Sequence, residues 1–254
     1  MNNNRVRIIP RLDIKGDRLI KGVQLEGLRV IGDPAAFAER YYNDGADELI
    51  YKDVVASLYG RNNITDMVAK TAEHIFIPLT VGGGIRSVDD VEILLRNGAD
   101  KICLNSAAIK RPQLISEIAS KFGSQCCVVE IEAKLYSSNT WLALYENGRE
   151  NSELDVVKWA CEAAELGAGE LLITSVDRDG TRAGMDEELL SSISRSVTVP
   201  IIASGGIGTI SHLCEIASKN IADAIAIADL LHFGRETIQN IKIQTLRNGI
   251  NVRP

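Results

Sequence analysis

Asp13, in RLDIK, and Glu132, in EIEAK, each end a short β-rich run, and each is followed two residues later by a lysine, Lys15 or Lys134. Two carboxylates facing each other across a bound ligand can act as general acid and general base on its opposite sides. Taken singly, either reads equally well as a loop cap or as the partner of its lysine. Taken as a repeated pair, they point to acid–base catalysis. Two glycine clusters, Gly82-Gly83-Gly84 and Ser204-Gly205-Gly206, close two further runs. Without Cβ atoms, backbone N–H groups can approach an anion closely, and a following helix N-terminus adds positive potential. A tight strand-to-helix turn asks for the same residues. Two such clusters half a chain apart suggest two phosphates at the ends of one elongated ligand. Asp53, Asn105-Ser106, Thr174-Ser175 with Asp177 to Gly180, and Ala228-Asp229 end the remaining runs. His74, His212 and His232 lie away from these positions and read as structural or surface residues, so no metal site is expected.

Alternating elements must position these groups. Strands are expected at Arg7–Asp13, Leu49–Asp53, Pro78–Val81, Lys101–Asn105, Cys127–Glu132, Glu170–Thr174, Ile201–Ser204 and Ala224–Ala228. A helix is expected over Pro34–Asp44, behind Asp33 as N-cap with Pro in the first turn. Another runs from Ser87 or Val88 to Asn97, stopped by Gly98, and a third over Glu153–Leu166, stopped by Gly167. Met185–Ser196, Ile210–Lys219 and Arg235–Asn248 follow. Strands alternating with helices of this length mean parallel βαβ units. Eight units fill one α/β domain over residues 1–254, a (β/α)8 TIM barrel, a fold of roughly 250 residues. A doubly wound open sheet is the alternative.

An internal repeat favours the barrel. PLTVGGGI at 78–85 reads against PIIASGGI at 200–207, Ala99-Asp100 against Ala222-Asp223, and Asp13-Ile-Lys15 against Glu132-Ala-Lys134. The offset is nearly constant, as two similar fused half-barrels require. In this fold the site lies at the C-terminal ends of the strands, where every polar group named above falls. Strands one and five are opposed, which sets Asp13 across from Glu132. Two segments interrupt the pattern. Gly16 to Gly32 is a long connection that reads as a functional lid. Trp141 to Tyr145 runs into Asn147-Gly148, a hairpin signal for a small ribbon near the mouth.

The chain has 254 residues with 28 Lys+Arg against 34 Asp+Glu, a net charge of -6. That balance argues against a nucleic-acid or acidic-membrane binder, while leaving room for a local basic pocket. No run approaches the 18 or so apolar residues of a membrane span, and no secretory leader is evident. The five cysteines are odd in number and lack C-x-x-C spacing, so buried thiols of a cytoplasmic protein are expected.

At these residues the sequence resembles the cyclase subunit of imidazole glycerol phosphate synthase. RIIPRLDIK, KGVQLEGLRVIGDP, GADELIYKDVVAS, IPLTVGGGI, NGADKICLNSAAI, FGSQCCVVEIEAK, LGAGELLITSVDRDGT, VPIIASGGIG, LLHF and GINVR carry the match along essentially the whole chain. The resemblance implies a barrel that pairs with a class I glutaminase as a heterodimer. The glutaminase's ammonia would be added to a bis-phosphorylated aminoimidazole carboxamide nucleotide, with cleavage and ring closure following. It implies Asp13 and Glu132 as the catalytic carboxylates, Asp13 as acid and Glu132 as base, and Lys21 on the first loop. Gly84, Asn105 and Ser106 fall in one phosphate site. Asp179, Gly180, Gly206 and Asp229 fall in the other, and Thr174, Ser204 and Gly205 belong to the same rim. On the opposite face Arg7, Glu48, Lys101 and Glu170 match a charged ring gating ammonia entry, and Asp100 matches an interface aspartate. No cofactor is implied.

Three residues depart from the family pattern. Glu132 stands where the second aspartate is expected, Asp229 where a serine is expected, and Arg11 in place of a small residue on the strand face of Asp13. The longer acid shifts its carboxylate by about 1 Å or more, a displacement that can cost on the order of 10²-fold in rate. An inward Arg11 favours an ionised Asp13, and a carboxylate at 229 repels phosphate unless it turns away. All three touch the rim and none touches the gate, so a changed acceptor is expected. Two rivals remain open: a paralogue passing ammonia to a sugar of surface polysaccharide synthesis, and a non-catalytic scaffold that activates the glutaminase.

Overall fold

The computed structural model describes residues 5–56 and 64–253. Its strands are β1 (Arg7–Lys15), β2 (Arg18–Val23), β3 (Glu26–Gly32), β4 (Leu49–Asp53), β5 (Leu79–Gly82) and β6 (Lys101–Leu104). β7 (Cys127–Ser137), β8 (Thr140–Tyr145), β9 (Glu150–Asp155), β10 (Glu170–Ser175), β11 (Ile201–Ser204) and β12 (Ala224–Ile227) follow. β1, β4, β5, β6, β7, β10, β11 and β12 pair in parallel, each with the next. β12 returns to β1 with Arg7 opposite Ala224 and Pro10 opposite Ile227. That pairing closes the sheet. The fold is a (β/α)8 barrel and the open sheet is excluded.

Both strand faces are covered, which is why the strands are apolar almost throughout. Side chains alternate between faces. Ile8, Leu12 and Ile14 pack outward in the large core beneath the helices, while Ile9, Ile50, Cys103, Val128, Leu172 and Ile202 belong to a separate cluster that fills the barrel interior. The inward positions on β1 are therefore Arg7, Ile9, Arg11 and Asp13.

Local signals set most helix starts. The Asp33 carboxylate accepts the Ala35 N–H at 3.0 Å, and Ser87 forms a reciprocal capping box with Asp90. The helix expected from Glu153 begins instead at Val156, where Asp155 caps the Lys158 N–H. Residues 150–155 pair with β8, so strand pairing overrides their helical pattern. The helices at Ile64–Ala72, Ser106–Lys110, Gln113–Phe122 and Asp229–His232 were not among those expected. The two at Ser106 and Asp229 are too short to show a helical period.

The segment from Gly16 to Gly32 is not an irregular connection. It folds as β2 and β3, an antiparallel extension of β1 with Asp13 opposite Ile20. The second interruption forms the β8–β9 hairpin, in which Asn147 and Gly148 adopt positive φ values of 56° and 77°. Its turn lines the mouth, and Trp141 on β8 is buried.

Candidate active site

The C-terminal ends of the barrel strands bring together a cleft of about 160 Å³ after β5 and β6, lined by Gly84, Asn105, Ser106, Lys110, Glu132 and Asn147 among others. Gly83 bends the chain with φ 103°, and a Cβ there would lie 2.3 Å from the Asp53 carbonyl oxygen, so only glycine fits. Buried Asn105 Oδ1 and Asn147 Oδ1 have no hydrogen-bond partner among the described residues. Ser106 Oγ accepts the Glu146 N–H at 3.0 Å, which ties the β8–β9 turn to the cleft.

The opposite recess, after β11 and β12, is lined by Lys21, Asp179, Gly180, Gly205, Gly206 and Asp229 among others. Gly206 has φ 99°, and a Cβ there would lie 2.1 Å from the Gly184 carbonyl oxygen. Lys21 reaches it from β2 and is buried, its Nζ on both Asp179 oxygens at 2.9 and 3.0 Å. Asp229 does not stand uncompensated: its carboxylate lies 3.3 Å from Arg235 Nε and 3.9 Å from Arg182 Nε. Those cations offset the repulsion expected at this position.

Asp13 and Glu132 stand between the two recesses, and neither is free. Arg11 Nε holds Asp13 Oδ1 at 3.0 Å. Burial would raise the Asp13 carboxyl, but Arg11, then Lys21 and Lys52, outweigh it and hold the group below the ordinary aspartate range. Glu132 is fully buried; Lys52 Nζ lies 2.5 Å from Oε1 and the Gly148 N–H donates to Oε2 at 2.8 Å. Burial pushes its carboxyl up, Lys52 opposing and the nearby Glu130 charge adding. These directions run against the expected assignment of Asp13 as acid and Glu132 as base. Asp13 is held low and Glu132 is pushed up, so of the two Asp13 is the more readily ionised.

Arg11 also donates to Thr174 Oγ1 at 2.8 Å and Ser204 Oγ at 3.3 Å. Those two hydroxyls, expected to face the ligand, are occupied from inside the barrel. Lys52 and Glu130 were not singled out from the sequence, yet they lie at the centre of the site. Their signal was present: each is two residues from an inward position, Ile50 or Val128, where a barrel interior is ordinarily apolar.

At the other mouth, Arg7 lies 2.6 Å from Glu48 and 2.9 Å from Glu170, and Lys101 lies 2.9 Å from Glu48 and 2.6 Å from Glu170. The four expected gate residues close into a ring of alternating charge. Asp100 lies nearby but its carboxylate accepts the Leu79 N–H at 2.8 Å. Asp47 and Asp223 do the same for Ile8 and Ile201, so this aspartate has a task within the barrel as a strand-start clamp.

The three histidines lie outside the rim contacts described above. His74 is exposed, whereas His232 is buried, its Nδ1 2.6 Å from the Tyr41 hydroxyl and its ring stacked on Tyr41. Burial lowers its pKa to about 4. The unfolded chain takes up a proton near pH 6.5 that the folded chain refuses until about 4. Stability should therefore fall as pH drops through that window, by about 3 kcal/mol. Urea unfolding across the window should show this slope flattened in His232→Gln. An equal slope in both proteins would contradict the assignment.

These features define a (β/α)8 barrel with a buried cluster of charged side chains between two glycine-lined recesses. The chain belongs to the histidine biosynthesis protein family, whose description matches residues 7–237. It is 60% identical to the imidazole glycerol phosphate synthase subunit HisF of Legionella pneumophila over 81% of this chain and 97% of that protein. It is 47% identical to the subunit of the same name from Bacillus cereus (strain G9842), over 97% and 98% of the two chains. Neither name lends support to a sugar acceptor or to a scaffold without chemistry.

Proposed function

We propose that the chain is the cyclase subunit of imidazole glycerol phosphate synthase, acting with a class I glutaminase subunit in a heterodimer. One observation carries this reading. Two glycine-lined recesses half a barrel apart flank the carboxylates of Asp13 and Glu132, in a chain this similar to subunits of that name. An elongated ligand with a phosphate at each end would lie across the mouth, with Gly84, Asn105 and Ser106 at one end and Gly180, Gly205 and Gly206 at the other. Its reacting centre would then rest over Asp13 and Glu132.

Adding ammonia and closing a ring both need a proton removed at one atom and supplied at another. Asp13, ionised beside Arg11, suits removal. Glu132 suits supply, but it is fully buried under the Gly148 N–H. It would reach the ligand through Lys52, which touches both Glu130 and Glu132. Arg7, Glu48, Lys101 and Glu170 would face the glutaminase and control ammonia entry, with Asp100 beside them. We place the protein in the cytoplasm, in keeping with five free cysteines and no helix among the described residues long and apolar enough to cross a membrane.

Supplied with the bis-phosphorylated nucleotide and ammonium salt, the protein should form imidazole glycerol phosphate at roughly 1 s⁻¹ or faster. Folded protein that gives no product, alone or with its glutaminase, refutes the reading. Lys101→Ala opens the ring and should change glutamine-dependent turnover several-fold while ammonium-dependent turnover changes much less. Equal losses in the two assays would remove the gate role.

A further inference from the structure

Three carboxylates and two cations share one volume inside the barrel, Asp13, Glu130 and Glu132 against Arg11 and Lys52, none more than 7% exposed. Their contacts form an unbroken chain. Asp13 meets Arg11 at 3.0 Å, Arg11 Nη1 meets Glu130 Oε1 at 3.1 Å, and Lys52 Nζ joins Glu130 Oε2 at 2.8 Å to Glu132 Oε1 at 2.5 Å. Thr174 Oγ1 closes a side link to Glu130 at 3.3 Å. We propose that Arg11, Glu130 and Lys52 are positioning residues that join Asp13 and Glu132 into one unit holding a single proton at its Glu130–Glu132 end. This role presupposes the cyclase reading above and supplies its acid and base together.

The count of charges motivates it. Fully ionised, the unit carries three negative charges against two positive ones on side chains that are almost wholly buried. A buried charge without a partner is costly, and a carboxyl in that position keeps its proton instead. Among the described residues, the surrounding elements do not supply the missing cation. Lys21 on β2 is already balanced by Asp179. On β6 the Cys103 thiol is pushed well up by burial and by Glu130, so it stays neutral. His232, behind Asp13, is neutral above about pH 4.

Geometry then decides where the proton rests. Asp13 has Arg11 at contact, with Lys21 and Lys52 beyond. Glu130 lies between both cations, which outweigh the burial that would raise it. Glu132 has one cation and the deepest burial. Sites this close titrate as a pair, so the proton belongs to Glu130 and Glu132 together. When Asp13 takes a proton from the reacting nitrogen, the balance of the unit is restored by release of the proton at the other end to the departing atom. The enzyme thus gains and loses one proton in the same turnover, and when product leaves Asp13 gives its proton to solvent while the Glu130–Glu132 end takes one up, restoring the starting state.

Carbon NMR of protein labelled at the glutamate carboxyl carbons reads this state without any turnover. One glutamate carboxyl should sit in the protonated range at pH 7. In Glu130→Gln it should move to the ionised range, because two carboxylates then balance two cations. A wild-type spectrum with every glutamate carboxyl ionised at pH 7 overturns the stored proton. In turnover with ammonium salt, Glu130→Gln should lower kcat by about tenfold or more at pH 8, with its basic limb displaced to lower pH. KM should stay within about twofold, and Glu130→Asp should recover part of the rate. An unchanged pH profile overturns the positioning role. A stored proton in a wild-type protein that lacks cyclase turnover would instead overturn the function proposed for the site, and with it the catalytic use of that proton.

Discussion

Asp13→Asn should cut ammonium-dependent turnover by about 10²–10⁴-fold, the range over which a positioned acid–base group ordinarily acts. The loss should fall on kcat, with KM little changed, because the amide keeps the shape of the carboxylate and the two anion cradles are untouched. Arg11 keeps Glu130, Thr174 and Ser204 as partners in this variant, so the strand should hold its place. Steady-state kinetics with saturating ammonium salt isolates the step from glutamine hydrolysis. A loss smaller than about tenfold would take Asp13 out of the chemistry and leave it as a partner for Arg11.

Lys52→Met should destabilise the fold by about 3–5 kcal/mol at pH 7, the cost of leaving a buried charge without its counter-ion. Lys52 is the contact that Glu130 and Glu132 share, and its side chain is 9% exposed against 2% and 0% for theirs. The pH dependence carries a definite sign. Without the lysine the two glutamates keep protons in the folded chain that they lose in the unfolded one. Their folded pKa values then lie above the unfolded ones. The deficit should be full at high pH and shrink as pH falls towards about 4.3, the unfolded glutamate value. Denaturant unfolding at several pH values checks this. A loss under about 1 kcal/mol, or one that grows towards acid, would mean that water reaches the pair.

The barrel was legible because its signals are local and repeated. Strand runs ended within one or two residues of their expected places wherever only barrel neighbours bounded them. β1 and β7 ran on by two and five residues because their ends pair with β2 and β8; the β8 ribbon had a hairpin signal, but its pairing with β7 did not. Asp33 and Ser87 were readable as helix starts because a cap acts within three residues. Glu153 was misread for the same reason in reverse, since its pairing with β8 belongs to the hairpin.

The residue types and their order along the chain determined, without coordinates, the closed eightfold fold, the two glycine cradles and the opposition of Asp13 to Glu132. Period and repeat are properties of sequence, and a barrel turns them directly into position. They also determined the four members of the ring at the far mouth, through resemblance. What only the tertiary structure decided is the charge state of the centre. Arg11 was expected to bias Asp13, but Lys52 and Glu130 were passed over because each looks ordinary within its own strand. Lys52 could have faced solvent and Glu130 could have met a surface lysine. The inward turn of both strands places the two side chains in one nearly dry volume, where Lys52 meets Glu130 at 2.8 Å and Glu132 at 2.5 Å. Electrostatic energy depends on distance and on exclusion of water, and a linear sequence records neither.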